Sequence, residues 1–386
     1  MSLTGSLLQW GSIAAAAVAF AVVVVLWGRL ARAGTLAVLA RSAALVGVNA
    51  LVVFAMLVSA NDHFSFYSGW DDLTGTGAAA VVTTHGAASG AATGASAQSS
   101  ALLAGTLHPT APEGTPVAGF DDRVQQLTVS GASGTTGTAL VVLPRGYHDA
   151  SQAGTTYPVV VALHGYPGNP RQWLTALDVR PAVAVAVKAH QLADPIVVIP
   201  DLGIPAGRDT ECLDGPQGQP QVETWLSSDL PKAVEASYRA RTSPQAWAAM
   251  GFSMGGWCAA EMSVLHPQQY GAGIVMGGYF RYDPSSGYQP FAQGSPQAQA
   301  HDLVAVAKDH PPTVSLFVAT SKDDPESWPT TKAFLAAAKA PTSVTSLIAK
   351  TGGHRSDVWA GQMPQALVWL GGAVPGFAPS TEPLTP

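Results

Sequence analysis

A serine framed by glycines, Gly251-Phe252-Ser253-Met254-Gly255, is the segment of this chain best suited to covalent chemistry. A serine hydroxyl lifted on a sharp strand-to-helix turn can attack an ester carbonyl. Glycines two residues to either side leave room for backbone that side chains would crowd. The flanks fit such a turn. Gln245 to Met250 is short and mostly apolar, as a buried strand is. Gly256 to Leu265 reads as a helix, stopped by His266-Pro267.

A serine nucleophile needs a base, an acid that orients the base, and donors for the oxyanion. On strand–turn–helix hydrolases the chain order is serine, acid, histidine. His354, in Thr351-Gly352-Gly353-His354-Arg355, is the last histidine and follows the last apolar strand, so it is the expected base. Lys322-Asp323-Asp324 follows the preceding strand. Asp324 is the preferred acid from its offset past that strand, Asp323 is the other candidate, and Glu326 lies further out. One oxyanion donor is expected at the amide of Met254, where the helix dipole adds positive character. The second is expected at Tyr166, in His164-Gly165-Tyr166-Pro167-Gly168. His164 itself reads as structural.

Composition excludes other chemistries. Charged residues make up 11% and the net charge is −6, with no basic cluster, so nucleic acid is not an expected partner. The ten histidines are scattered, and the two cysteines, Cys212 and Cys258, have no metal-ligand spacing. No metal or cofactor is expected. In an oxidising compartment Cys212 and Cys258 are expected to pair, the alternative being two separate buried thiols.

These groups need a scaffold, and the chain divides into regions that supply one. Residues 1–60 hold two uncharged runs, Leu7 to Trp27 and Ser42 to Ala60. The first would span ~32 Å as a helix, close to a bilayer core. The run is too long for a signal peptide and lacks a basic start. A pair of buried core helices is the other reading. Arg29, Arg32 and Arg41 lie between the runs, which places that loop in the cytoplasm and everything after Ala60 outside it. The expectation is a membrane hairpin in the cell membrane with an extracytoplasmic remainder.

Residues 61–120 read as an interfacial segment and a linker. Phe64, Phe66, Tyr67 and Trp70 suit a membrane interface or a docking segment, and Thr74 to Thr106, rich in Gly, Ala, Ser and Thr, reads as a disordered tether. Residues 121–374 alternate strands and helices. The strands are Val124–Val129, Ala139–Leu143, Val159–Leu163, Ile196–Ile199, Ala246–Met250, Gly273–Met276, Val314–Ala319 and Val344–Ile348. Helices are expected near Pro181–Gln191, Thr224–Tyr238, Trp257–Leu265, Thr330–Ala340 and Asp357–Leu370. That alternation predicts an α/β domain with a mainly parallel sheet covered on both faces. Residues 375–386, rich in proline, read as a disordered tail.

Residues from about 120 to 372 resemble the esterase branch of the α/β-hydrolases, which includes esterase D and the secreted mycolyltransferases. The resemblance rests on Tyr157 to Gly165, Val222-Glu223-Thr224-Trp225-Leu226-Ser227-Ser228-Asp229-Leu230-Pro231, Gly251 to Gly256, His266-Pro267-Gln268-Gln269 and Gly352-Gly353-His354. It implies an α/β-hydrolase fold and a serine esterase acting on carboxylic esters through an acyl-enzyme. It also implies Ser253 as nucleophile, His354 as base, and Met254 with Tyr166 as oxyanion donors. The chain differs from the mycolyltransferases in having Arg355-Ser356 after the histidine, where those enzymes have Ser-Trp, and Asp where their acid is Glu. An acyltransferase that moves an acyl group to a sugar or lipid alcohol is the alternative. A non-catalytic binding protein on the same fold is the second. The expected partners are an ester substrate, including lipid or cell-envelope glycolipid, and the membrane.

Overall fold

A computed structural model describes residues 6–30, 34–64, 81–85, 109–283, 287–292 and 294–379. They fall into two units. One holds residues 1–79 with the short segments Ser321–Pro325 and Lys350–Arg355. The other holds Ala80–Thr320, Glu326–Ala349 and Ser356–Pro386.

In the first unit the two uncharged runs are helices α1 (Ser6–Leu30) and α2 (Thr35–Phe64), packed against each other. Both are long and apolar enough to cross a membrane. Their apolar side chains face outward, with Leu7 73%, Val25 81% and Leu36 82% exposed. α2 starts earlier than the uncharged run at Ser42 because Arg41 does not interrupt it. The Arg41 guanidinium turns back and donates to the carbonyl of Ala37 at 3.2 Å. The expected interfacial segment beyond Phe64 lies outside the described residues.

The second unit is built on a ten-stranded sheet. Its strands are β1 (Val81–His85), β2 (Thr115–Pro116), β3 (Val124–Ser130), β4 (Thr136–Val142), β5 (Val159–Leu163), β6 (Ile196–Pro200), β7 (Trp247–Phe252), β8 (Ala272–Met276), β9 (Ser315–Ser321) and β10 (Ser343–Ala349). They lie in the order β1-β10-β9-β8-β7-β5-β6-β4-β3-β2. The run β6-β5-β7-β8-β9 is parallel, and the β2–β4 edge is antiparallel. This is the expected mainly parallel sheet with an antiparallel start, and all eight expected strands are present within a few residues.

Every residue of β5 is buried, as a central strand with two covered faces requires. Alternation splits its side chains between two cores. Val159, Val161 and Leu163 join Trp225, Leu230, Trp257 and Phe334 on one face. Val160 and Ala162 join Val183, Trp359 and Leu367 on the other. The first face is covered by α4 (Leu230–Ser237), α5 (Met254–Leu265), α7 (Leu303–Asp309) and α8 (Trp328–Ala337), and the second by α3 (Val179–Lys188) and α9 (Ser356–Ala373).

Three differences from the sequence reading have physical reasons. Within the expected tether, Val81–His85 is a strand, because a run of β-branched residues finds an open edge and pairs antiparallel with β10. The rest of that tether, 74–80 and 86–106, lies outside the described residues. Two short helices, α6 (Pro296–Ala300) and α7, were not expected. They are too brief to show periodicity and are started by caps, Ser295 accepting from the Ala298 amide and Asp302 from the Val304 and Ala305 amides. The expected disordered tail begins with an ordered turn, Pro375–Phe377, whose Phe377 is fully buried. Ala193 donates to the Phe377 carbonyl at 2.9 Å and Arg241 to that of Gly376 at 2.6 Å. Residues 380–386 lie outside the described residues.

Candidate active site

The parallel strands end level with one another. Leu163 of β5 pairs with Gly251 of β7, Gly251 with Val275 of β8, and Val275 with Val318 of β9. The loop after β5 and the turn after β7 therefore leave the sheet side by side. In open α/β sheets that edge, at the carboxyl ends of the strands, is where ligands bind.

The turn after β7 carries Ser253. Its φ of 56° and ψ of −129° lie in a region that non-glycine residues rarely occupy. Such strain persists only where the surroundings enforce it. Here β7 is wholly buried, α5 starts at the next residue, and the Ser253 amide donates to the Met276 carbonyl at 3.0 Å. The flanking glycines are required by contact. A Cβ on Gly251 would sit 1.8 Å from the Gly255 carbonyl oxygen, and one on Gly255 would sit 2.2 Å from that of Leu163. Beneath the turn, Phe252 stacks on Trp359 at 5.0 Å and packs against Trp173 at 5.3 Å. Sequence reading gave these two tryptophans no role at the site. Trp359 lies on α9, and only the fold shows that it meets Phe252.

Met254 opens α5, so its amide has no acceptor within the helix. Tyr166 stands on the loop after β5, half exposed. That loop lies against the serine, since a Cβ on Gly165 would come within 3.1 Å of Ser253 Cβ. His164 anchors the loop from inside. Its Nδ1–H donates to the Gly165 carbonyl at 2.8 Å, and its Nε2 accepts from the Leu202 amide at 3.0 Å. Both ring nitrogens are thus occupied, in keeping with a structural histidine. Beside this loop a cavity of about 280 Å³ is lined by Tyr166, Gly207, Arg208 and Tyr288, among others.

In the other unit, the loops after β9 and β10 bring Asp324 and His354 together. Asp324 Oδ2 lies 2.9 Å from His354 Nδ1, and both residues are buried. A carboxylate only accepts, so Nδ1 carries the proton and Nε2 keeps its lone pair. The neighbouring Asp323 instead accepts from the Gly353 amide at 3.3 Å. Asp324, the preferred of the two aspartates, thus lies at hydrogen-bond distance from the imidazole.

Cys212 and Cys258 form a disulfide that ties a loop to α5. The loop backbone is strained there, with φ of 51° at Glu211 and 57° at Cys212. Trp257 helps hold it, donating from its indole to the Glu211 carbonyl at 2.8 Å. Trp257 stacks on Tyr279, whose hydroxyl donates to the Glu211 carboxylate at 2.8 Å. Burial pushes the Glu211 carboxyl up to about 8, the Asp209 charge adding to the effect.

An α/β sheet whose strained serine turn leads straight into a helix is the frame of the serine ester hydrolases. Residues 130–370 match the family described as "Putative esterase", and the chain belongs to that family. An uncharacterised protein of Corynebacterium glutamicum is 28% identical over 140 residues, which is 36% of this chain and 32% of that relative's length. Among solved structures, a ferulic acid esterase aligns at 20% identity with a TM-score of 0.52, covering 64% of this chain and 97% of its own. The S-formylglutathione hydrolase of Agrobacterium tumefaciens aligns at 15% identity and a TM-score of 0.52, covering 65% and 96%. The ferric enterobactin esterase of Salmonella typhimurium aligns at 16% and 0.50, covering 70% and 62%. These likenesses show the fold.

Proposed function

We propose that this serine ester hydrolase is membrane-anchored and extracytoplasmic, and that it works through Ser253, His354 and Asp324. His354 Nε2 takes the proton of Ser253 as Oγ attacks the ester carbonyl carbon. Asp324 fixes the ring so that this nitrogen carries the free lone pair, and it stabilises the imidazolium that forms. The amides of Met254 and Tyr166 hold the oxyanion. His354 then gives its proton to the leaving alcohol, and the acyl group stays on Ser253. Water, deprotonated by His354, releases the acid. The cavity beside Tyr166 is the proposed seat of the ester. The observation that carries this reading is the buried His354–Asp324 hydrogen bond at 2.9 Å, which orients an imidazole as a base.

The anchor rests on α1 and α2, whose outward apolar side chains suit lipid better than water. Arg29 at the end of α1, Arg32 after it and Arg41 early in α2, with no acid among them, favour a cytoplasmic connection. Transfer of the acyl group to an alcohol rather than water is the second reading. It is favoured by Glu223-Thr224-Trp225-Leu226 and His266-Pro267-Gln268-Gln269, the two segments most similar to the mycolyltransferases. Ser253→Ala tests the common chemistry. It should lower ester turnover more than ~10³-fold without unfolding the domain. A folded variant with unreduced turnover would contradict the proposal.

A further inference from the structure

Glu223, Glu261 and His301 converge from distant parts of the chain. Glu261 lies on α5 and is fully buried. Among the described residues, neither of its carboxylate oxygens has a hydrogen-bond partner. Its Oε1 lies 3.6 Å from Nε2 of His301. Oε2 of Glu223 lies 3.0 Å from the same nitrogen. One donor atom from each of the three residues lies within 4.8 Å of the other two.

The hydrogen bonds of His301 restrict what can sit among these groups. Its Nδ1 lies 2.8 Å from the Gln297 carbonyl oxygen. A carbonyl only accepts, so Nδ1 carries a proton and points Nε2 at the two carboxylates. A proton on Nε2 would serve Glu223 and leave Glu261 without a hydrogen bond. A buried carboxylate in that state is strongly unfavourable. A divalent cation serves all three groups at once. It takes an electron pair from the imidazole and from one oxygen of each carboxylate, and its charge cancels theirs.

We propose that Glu223, Glu261 and His301 bind a zinc ion that braces α5 against the segment at Glu223 and the turn between α6 and α7. The spacing fits. Two donors each ~2.1 Å from a tetrahedral centre stand ~3.4 Å apart, between the 3.0 Å and 3.6 Å found at His301. An imidazole with two carboxylates suits zinc, whereas calcium and magnesium prefer shells of oxygen alone. A histidine whose other nitrogen donates to a backbone carbonyl is the usual orientation of a zinc ligand. His266 Nε2 lies 2.8 Å from the remaining oxygen of Glu223, where its N–H would orient that carboxylate. Water would complete the coordination.

The test uses the full chain without a polyhistidine tag, stripped by a chelator and dialysed against micromolar zinc. One zinc per chain should be retained, with a raised melting temperature. Glu261→Gln and His301→Gln should each weaken binding by at least about tenfold. No uptake by the wild type, or equal uptake by wild type and Glu261→Gln, would overturn the site. Cobalt(II) reads the same site without substitution. Strong visible absorption from a four-coordinate ion supports it, and a weak octahedral spectrum overturns it. The readouts are metal content and metal spectrum, so they stand apart from the catalytic proposal.

Discussion

Asp324 holds His354 through a 2.9 Å hydrogen bond to Nδ1, and both residues are shut away from solvent. Asp323, one residue earlier, accepts from the Gly353 amide at 3.3 Å. This division predicts unequal effects. Asp324→Asn should lower kcat by ~10³–10⁴-fold, because the amide favours the wrong tautomer of the histidine. Asp323→Asn should cost less than about tenfold. Steady-state kinetics of the two variants decides, and the reverse order would reassign the acid.

Glu211 makes the fold sensitive to pH. Its folded carboxyl, held at about 8 by burial, titrates well above the ordinary 4.5. Between those values the folded chain keeps a proton that the unfolded chain has released. Stability therefore falls as pH rises through that window. Asp194, raised to about 6 by burial, acts in the same direction over a narrower range. Denaturant midpoints measured from pH 5 to pH 8 should decline in the wild type and decline less in Glu211→Gln. Parallel declines would contradict this assignment.

The bridge between Cys212 and Cys258 spans a sequence separation of 46 residues. Closing such a loop in the unfolded chain contributes ~4 kcal/mol, less any strain. Protein taken from an oxidising compartment, alkylated after denaturation without reductant, should show no free thiol in its intact mass. Reduction should lower the denaturation midpoint. Two alkylated cysteines would reject the bridge.

The proposed topology rests on Arg29 at the end of α1, Arg32 after it and Arg41 early in α2, and labelling can read it. A cysteine replacing Gly34, between those helices, should be shielded from an impermeant thiol reagent in intact cells. One replacing Gly90 should react. Equal labelling of both would sink the hairpin.

Much of this was legible because local rules governed it. The strand at Val159–Leu163 is a continuous apolar run, and it folds with the expected limits. The turn at Ser253 was legible because a Cβ on Gly251 would collide with the Gly255 carbonyl four residues on, a demand that lies inside the motif. What stayed hidden depends on long-range contact. Val81–His85 is a strand only because β10 offers it an edge, and its small, polar surroundings read as linker. Trp173 and Trp359 sit far from Ser253 in sequence and pack against its neighbour Phe252. Glu223 and His301 are 78 residues apart, so no ligand spacing could reveal their meeting at Glu261.

The central claim is that Ser253 is an activated nucleophile, and a fluorophosphonate probe tests it most directly. Such probes react only with a serine whose proton is taken by a neighbouring base. Peptide mapping of the labelled, folded protein should find one adduct, on Ser253. The adduct should be absent from Ser253→Ala and form far more slowly in His354→Ala. An adduct on another residue, or none on folded protein that still hydrolyses esters, would contradict the account.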